Sequence, residues 1–279
     1  MKQLPRISET LLCQPWCILP DVHSELVVSY RNYLSGTLPE FLSGSGSTGS
    51  GMTYEVSDDN TLALLNLSGV VVKRAPDMLC GPAMIDLSEL DRLLQEVADD
   101  ERIQTLVLNL DTPGGCGIGL PETASNMADV KASGTRIVAY ADYLCASAGY
   151  WLAACADEII AAPSAQVGSV GTYIAALDDS VAWEKAGFKL KLFKDGDLKA
   201  MGHPGKEWTP EEEAFLETRL ATWAASFKDH VRANRPGIEE ETMQGQCFDA
   251  GEAPVGLIDG TARDLSELLV REFELLRNS

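Results

Sequence analysis

From Leu62 onward, β-rich apolar runs alternate with stretches of helical periodicity. That alternation restricts the body of the chain to an α/β architecture with a largely parallel sheet. Residues 62–72 read as strand, after which Ile85, Leu90, Leu93, Leu94 and Val97 fall on one helical face. Strand character returns at 105–110, 136–141, 157–162, 167–174 and 189–193, with helices expected near 118–131, 147–156 and 180–186. Thr209-Pro210-Glu211-Glu212 has the form of a capping box with proline at the first helical position. Leu216, Leu220, Trp223, Phe227 and Val231 then give a long helix its buried stripe, ending near Pro236-Gly237. Residues 239–244 and 264–276 read as further helices.

Ahead of this body, residues 21–34 place Val22, Leu26, Tyr30 and Tyr33 at helical spacing, and residues 43–51 are serine, glycine and threonine only. The latter run has no side chains to bury and reads as a flexible linker. The expected organisation is a helical appendage (1–42), a linker (43–52) and a body (53–279). Composition does not choose whether the appendage docks on the body or on a partner.

The 279 residues, 45% of them hydrophobic, suffice for a substantial core. Forty-two acidic against 22 basic residues leave a net charge of −20, which disfavours a nucleic-acid partner. Seven cysteines at 13, 17, 80, 116, 145, 155 and 247 lack zinc-site spacing and are expected as reduced thiols. Neither a secretion signal nor a membrane span is expected, no cluster has metal-ligand spacing, and no cofactor is called for.

Two turns carry candidate chemistry. In Ala139-Tyr-Ala-Asp-Tyr-Leu-Cys-Ala-Ser147-Ala-Gly-Tyr-Trp151 an apolar strand runs into small residues that present Ser147 at a helix start. In Asp111-Thr112-Pro113-Gly114-Gly115 another strand ends in a turn able to aim bare backbone N–H groups at an oxyanion. A serine hydroxyl needs a base. His23 and His230 read as packed or solvated residues, whereas His203, in a loop, is a rival base. Lys199 serves if burial lowers its pKa, but spacing does not select it over Lys194 or Lys206. Read structurally, Ser147 is an N-cap, Gly114-Gly115 and 168–171 are tight bends, and Cys116 and Cys145 are packing residues. Glu211, Glu212 and Glu213 suit a helix N-terminus, and Asp86, Glu89, Asp91 and Glu96 a solvated helix face.

Asp111-Thr-Pro-Gly-Gly115, Cys145-Ala-Ser-Ala-Gly149, Val167-Gly-Ser-Val-Gly171 and Gly196-Asp-Leu-Lys199 stand in an order and separation that resembles the signal peptide peptidase A family, serine peptidase family 49. The likeness runs from about Leu62 to Leu269 and includes residues 246–259. Within the family the chain looks most like the phage capsid assembly (prohead) proteases. The resemblance implies a Clp protease/crotonase-like spiral of ββα units, Ser147 as nucleophile and Lys199 as general base. It further implies Gly114 and Ala148 N–H groups as the oxyanion hole and Ser169 as a hydroxyl positioning the lysine. It implies a metal-independent homo-oligomer in which serine and lysine of one site can come from adjacent subunits. The substrates it implies are scaffold and capsid proteins in a prohead in the host cytoplasm. Two departures are Ala148 where relatives often have glycine, and Asp197, which beside Lys199 favours the ammonium form. Competing expectations are a bacterial peptidase acting on cleaved signal peptides, a crotonase-like acyl-CoA enzyme and a structural capsid protein.

Overall fold

The computed structural model describes residues 14–35, 52–75 and 84–278. The Gly/Ser run expected as a linker lies outside the described residues, except for Met52.

The frame is a sheet whose inner strands are parallel. β3 (Leu62–Ser68) pairs with β6 (Thr105–Thr112), and β6 with β8 (Arg136–Ala146). The far half of β8 then pairs with β10 (Gln166–Gly168), while its near half pairs with β9 (Glu158–Ala161). Antiparallel pairing is confined to the margins, where β2 (Tyr54–Val56) joins β3 and β11 (Cys247–Asp249) joins β10. β12 (Gly260–Thr261) extends β9 in parallel. Leu106, Val107, Leu110, Ile137, Val138 and Ala139 are sealed from solvent, as expected of strands covered on both faces.

A smaller sheet grows from the first. β3 turns through Gly69 (φ 103°) into β4 (Val70–Val72), and β6 turns through Gly114 (φ 98°) into β7 (Gly114–Cys116). Only glycine adopts such φ values freely, so each long strand switches sheets at a residue without a Cβ. β4 pairs in parallel with β7 and with β5 (Met84–Asp86). Each strand pair is followed by a helix, α2 (Leu87–Asp99) and α3 (Leu120–Ala132). These are ββα units of the kind the resemblance implies. The expected strand 62–72 is therefore two strands in two sheets.

Asp86 and Asp91 are not the solvated residues anticipated. Asp86 caps α2 by accepting the Ser88 and Glu89 N–H groups (2.8 and 3.3 Å), and Asp91 accepts from Thr123 and Lys73 (2.6 and 3.3 Å). Glu89 and Glu96 flank Arg92 on the exposed side.

On the far side, the capping box at Thr209 forms as the sequence predicts: its hydroxyl accepts the Glu212 N–H, and the Glu212 carboxylate accepts the Thr209 N–H. Glu212 is nonetheless fully buried, where it also pairs with Lys206. Two further short helices are α4 (Ala148–Ala154) and α5 (Ser180–Lys185), while α6 (Pro210–Asn234) is the long one, packing Phe227 against Trp151 of α4. Its terminal Arg235 binds Asp259, which also accepts the Ile159 N–H, so the turn before β12 is bolted to β9. α7 (Leu265–Asn278) closes the chain's described part with buried Glu272 between Arg136 and Arg271. Residues 239–244 form one 3₁₀ turn (Glu240–Thr242) rather than a helix.

Two expected strands are corrected. Residues 167–174 give only the end of β10 and a single bridge at Tyr173, because Ser169 turns the chain at φ 52°. Residues 189–193 form no strand at all. Their Lys-Leu-Lys-Leu pattern suits a half-buried strand, but among the described residues none pairs with them to complete a ladder.

The described part of the leading region is docked on the body. β1 (Trp16–Ile18) pairs with β7, and α1 (Pro20–Ser35) follows it, with Val22, Leu26 and Val27 against a cluster of Trp16, Ile18, Val70 and Cys116.

Candidate active site

Four chain reversals collect at the carboxyl edge of the parallel strands, where open α/β sheets bind ligands: Gly69 after β3, Gly114 after β6, Ser147 after β8, and Gly168-Ser169 after β10. Ser147 has φ 55° and ψ −112°. A non-glycine residue there is strained, and strain of this kind persists where surrounding contacts over-determine it. The Ser147 N–H donates to the Gly168 carbonyl (2.8 Å), and its own carbonyl accepts the Trp151 N–H (2.9 Å), starting α4. Ser147 is 1% exposed. Its side chain makes no capping bond, so the N-cap reading fails by geometry.

Gly114 touches this serine. A Cβ built on Gly114 would lie 2.9 Å from Ser147 Cβ and 2.1 Å from the Cys17 carbonyl oxygen. The Gly114 N–H donates to buried Thr112 Oγ1 (3.1 Å), while Ala148, first residue of α4, has an N–H with no acceptor inside its helix. Thr112 escaped the sequence reading. Its methyl also lies 2.2 Å from where a Cβ on Gly149 would sit, so it locks the two turns together. The Thr-Pro-Gly-Gly order was the available signal.

Ser169 is buried beside the same edge, but its hydroxyl bonds to Cys247, whose thiol burial pushes up and this bond pulls back. Burial likewise raises the Cys145 and Cys116 thiols above the ordinary cysteine range, so neither supplies a thiolate at neutral pH.

The candidate bases separate clearly. His230 stacks on Trp151 (4.6 Å between ring centroids) and bonds its carbonyl; His23 is buried against Trp16 and Tyr173; the ring of exposed His203 bonds the adjacent Pro204 carbonyl. Lys206 is held by Glu212, and Lys194 donates to the Asp197 carbonyl. Lys199 lies in an exposed turn, its N–H donating to Gly196, and no hydrogen bond joins its ammonium to Ser147. The structure thus brings Ser147, Gly114, Ala148 and Ser169 to one edge and leaves Lys199 on a separate arm of the same chain. Among the described residues no cluster of His, Cys, Asp or Glu is placed to hold a metal ion, and no helix is long and apolar enough to cross a membrane.

Residues 129–263, which contain Ser147, Ser169 and Lys199, match the model of peptidase family S49. Over this segment the chain is similar to that family. It is 25% identical over 227 residues to a protein of Enterococcus faecium named for signal peptide peptidase activity, SppA, with 79% of this chain and 66% of that one covered. It is 28% identical over 181 residues to capsid assembly protease C of Escherichia phage lambda (65% and 40% covered). A protease SohB relative from Buchnera aphidicola is 28% identical over 177 residues (62% and 52%). The chain thus spans less than two thirds of the length of each. Among solved structures, an enoyl-CoA hydratase/isomerase family member aligns over 82% of this chain and 77% of that one at 16% identity, with a TM-score of 0.44.

Proposed function

We propose that this peptidase-family chain is a serine endopeptidase in which Ser147 is the nucleophile and Lys199 of a neighbouring copy the general base. The observation that carries the reading is the strained, buried Ser147 with Gly114 packed against its Cβ. Lys199 rides on an arm that exposes Val181, Phe188 and Phe193, an apolar surface that a second copy would cover. Covering it would also desolvate the lysine and favour the neutral amine that a base requires.

Neutral Lys199 takes the hydroxyl proton as Ser147 Oγ bonds to the peptide carbonyl carbon. The electron pair displaced onto the carbonyl oxygen is held by the Ala148 N–H and by the Gly114 N–H, which exchanges its Thr112 acceptor for the oxyanion. Collapse expels the amine, which receives the proton from the Lys199 ammonium. Water, activated by the same lysine, then hydrolyses the acyl-enzyme. Ser169 acts by tying the turn after β10 to Cys247 of β11, which shapes this edge.

The likeness to capsid assembly protease C supports a scaffold protein in an assembling phage head as substrate. A signal peptide is the second reading, supported by the longer alignment to SppA. The test compares casein cleavage and fluorophosphonate labelling for the unaltered chain, Ser147→Ala and Lys199→Ala. Both variants are expected to lose cleavage by about 10³-fold or more, and the first to lose labelling. Undiminished proteolysis in either rejects the pair.

A further inference from the structure

The site edge already holds a strand of polypeptide, and it belongs to this chain. β1 lies antiparallel to β7 with Trp16 opposite Cys116, Cys17 opposite Gly115 and Ile18 opposite Gly114. Its other edge is paired too: the Trp16 N–H donates to the Tyr173 carbonyl (2.9 Å), and the Tyr173 N–H returns to the Trp16 carbonyl (3.1 Å). Beyond these, the Gly117 N–H reaches the Pro15 carbonyl (3.4 Å) and the Leu19 N–H reaches the Pro113 carbonyl (3.0 Å). Residues 15–19 are therefore inserted between two stretches of backbone, as extended peptides are when recognised by strand addition.

The insertion points at the nucleophile. Running from Pro15 to Leu19, the segment passes Cys116 first and Gly114 last, towards the turn beside Ser147. The Cys17 carbonyl oxygen and the Ser147 Cβ lie 2.1 and 2.9 Å from one point, the Cβ position on Gly114, so they are no further apart than those two lengths laid end to end. Trp16 and Ile18 are sunk on one face beside Val70, Cys116 and Tyr173, and Cys17 faces the main core. At the same edge, Thr172 Oγ1 and the Tyr173 hydroxyl are buried without a hydrogen-bond partner among the described residues.

We infer that the slot between β7 and Tyr173 is the binding groove for an extended substrate polypeptide, and that residues 15–19 are a built-in occupant that substrate must displace. The inference rests on Ser147 being the nucleophile. It adds a peptide class, an extended strand with large apolar side chains at alternate positions, and an autoinhibited resting state. The tethered segment competes at the high local concentration that any intramolecular ligand enjoys.

The test measures binding without chemistry. A fluorescein-labelled peptide of residues 14–21, Gln-Pro-Trp-Cys-Ile-Leu-Pro-Asp, is titrated by anisotropy into the full chain carrying Ser147→Ala, and into the same chain also carrying Trp16→Pro, which removes the N–H given to Tyr173. Emptying the slot is expected to tighten peptide binding at least tenfold, and a scrambled peptide is expected to bind neither. Ile18→Asp, which spares that N–H and removes an apolar anchor, is expected to act in the same direction and guards against a misfolded proline variant. Equal affinity in all three chains, or no binding to any, overturns the inference. Tight, Trp16-dependent binding without cleavage by the Ser147 chain keeps the groove and rejects the peptidase. Cleavage unaffected by Trp16→Pro and Ile18→Asp keeps the peptidase and rejects the occupant.

Discussion

The turns around Ser147 and the arm that carries Lys199 are built by opposite means. Around Ser147, α4 is buried along its whole length, Thr112 bridges two turns, and glycines sit where backbones nearly touch. From residue 175 to 208 the chain makes one short helix, exposes Phe193 to 96% and Phe188 to 63%, and contributes nothing to the main core. Pre-organisation of the proposed nucleophile is thus a property of the folded chain. Placement of the proposed base is left to whatever covers the arm. Under the proposed function, a chain divided this way would be silent as a monomer and would gain its base only on assembly, which would suit a protease that must not cut before its substrate has gathered.

Mixing variants is the strongest way to break that contrast. Chains carrying Ser147→Ala and chains carrying Lys199→Ala are each expected to be down by about 10³-fold or more, equivalent to roughly 4 kcal/mol of barrier. Unfolded together and refolded as a mixture, they are expected to recover a substantial fraction of casein cleavage, because a site that joins the two intact residues forms between unlike copies. Cleavage that stays at the level of the separate variants shows that both residues must come from one chain, and the arm must then fold back on its own body.

Much of this division was legible in the residues. Alternating β and helical periodicity predicted the α/β body, and the capping box at Thr209 located α6 to the residue. Ser147 and Gly114 stand out in the sequence because small residues after an apolar strand suit a sharp turn, and the structure places a sharp turn at each. What the sequence concealed was set by non-local pairing. Residues 62–72 read as one strand because hydrophobicity does not report a change of sheet at Gly69, and 189–193 reads as a strand because alternation does not report whether a neighbour exists. β1 was hidden for the same reason. Three residues carry no period, and their partner lies about a hundred positions away.

The packing side of the comparison is sharpened by two glycines. Gly149→Ala places a methyl 2.2 Å from Thr112 Cγ2, and Thr112 is β-branched and buried, so it has no free rotamer to retreat into. The expected cost is about 1–3 kcal/mol, read as a drop of several degrees in melting temperature. Thr112→Ser in the same chain removes that methyl and keeps the hydroxyl for Gly114, so the double variant is expected to regain most of the loss. On the arm, Gly196→Ala meets nothing within 4 Å and bears only the strain of φ 93°, roughly 1 kcal/mol. A larger loss at Gly196 than at Gly149 would show that the arm is the tighter of the two regions.

The smallest expected effect tests whether the wall behind Ser147 is as dry as its burial implies. His230 of α6 is stacked on Trp151 of α4, and burial holds its pKa below the ordinary 6.5 against the opposing pull of the Trp151 carbonyl. The surroundings fit the neutral ring: Nε2–H donates to that carbonyl (3.0 Å), and Nδ1 is left to accept from the Asn234 amide (3.4 Å). Protonation would set two donors face to face. Below pH 6.5 the unfolded chain takes up a proton that the folded chain resists, so stability falls as pH drops from 6.5 towards the folded pKa. His230→Phe keeps an aromatic ring over Trp151 and removes the titration. Its melting temperature is expected to fall less than that of the unaltered chain between pH 7.5 and 5.5 in calorimetry. Parallel curves for the two would mean that the imidazole titrates as it does in water, and that solvent reaches between α4 and α6, the two helices that support the strained serine.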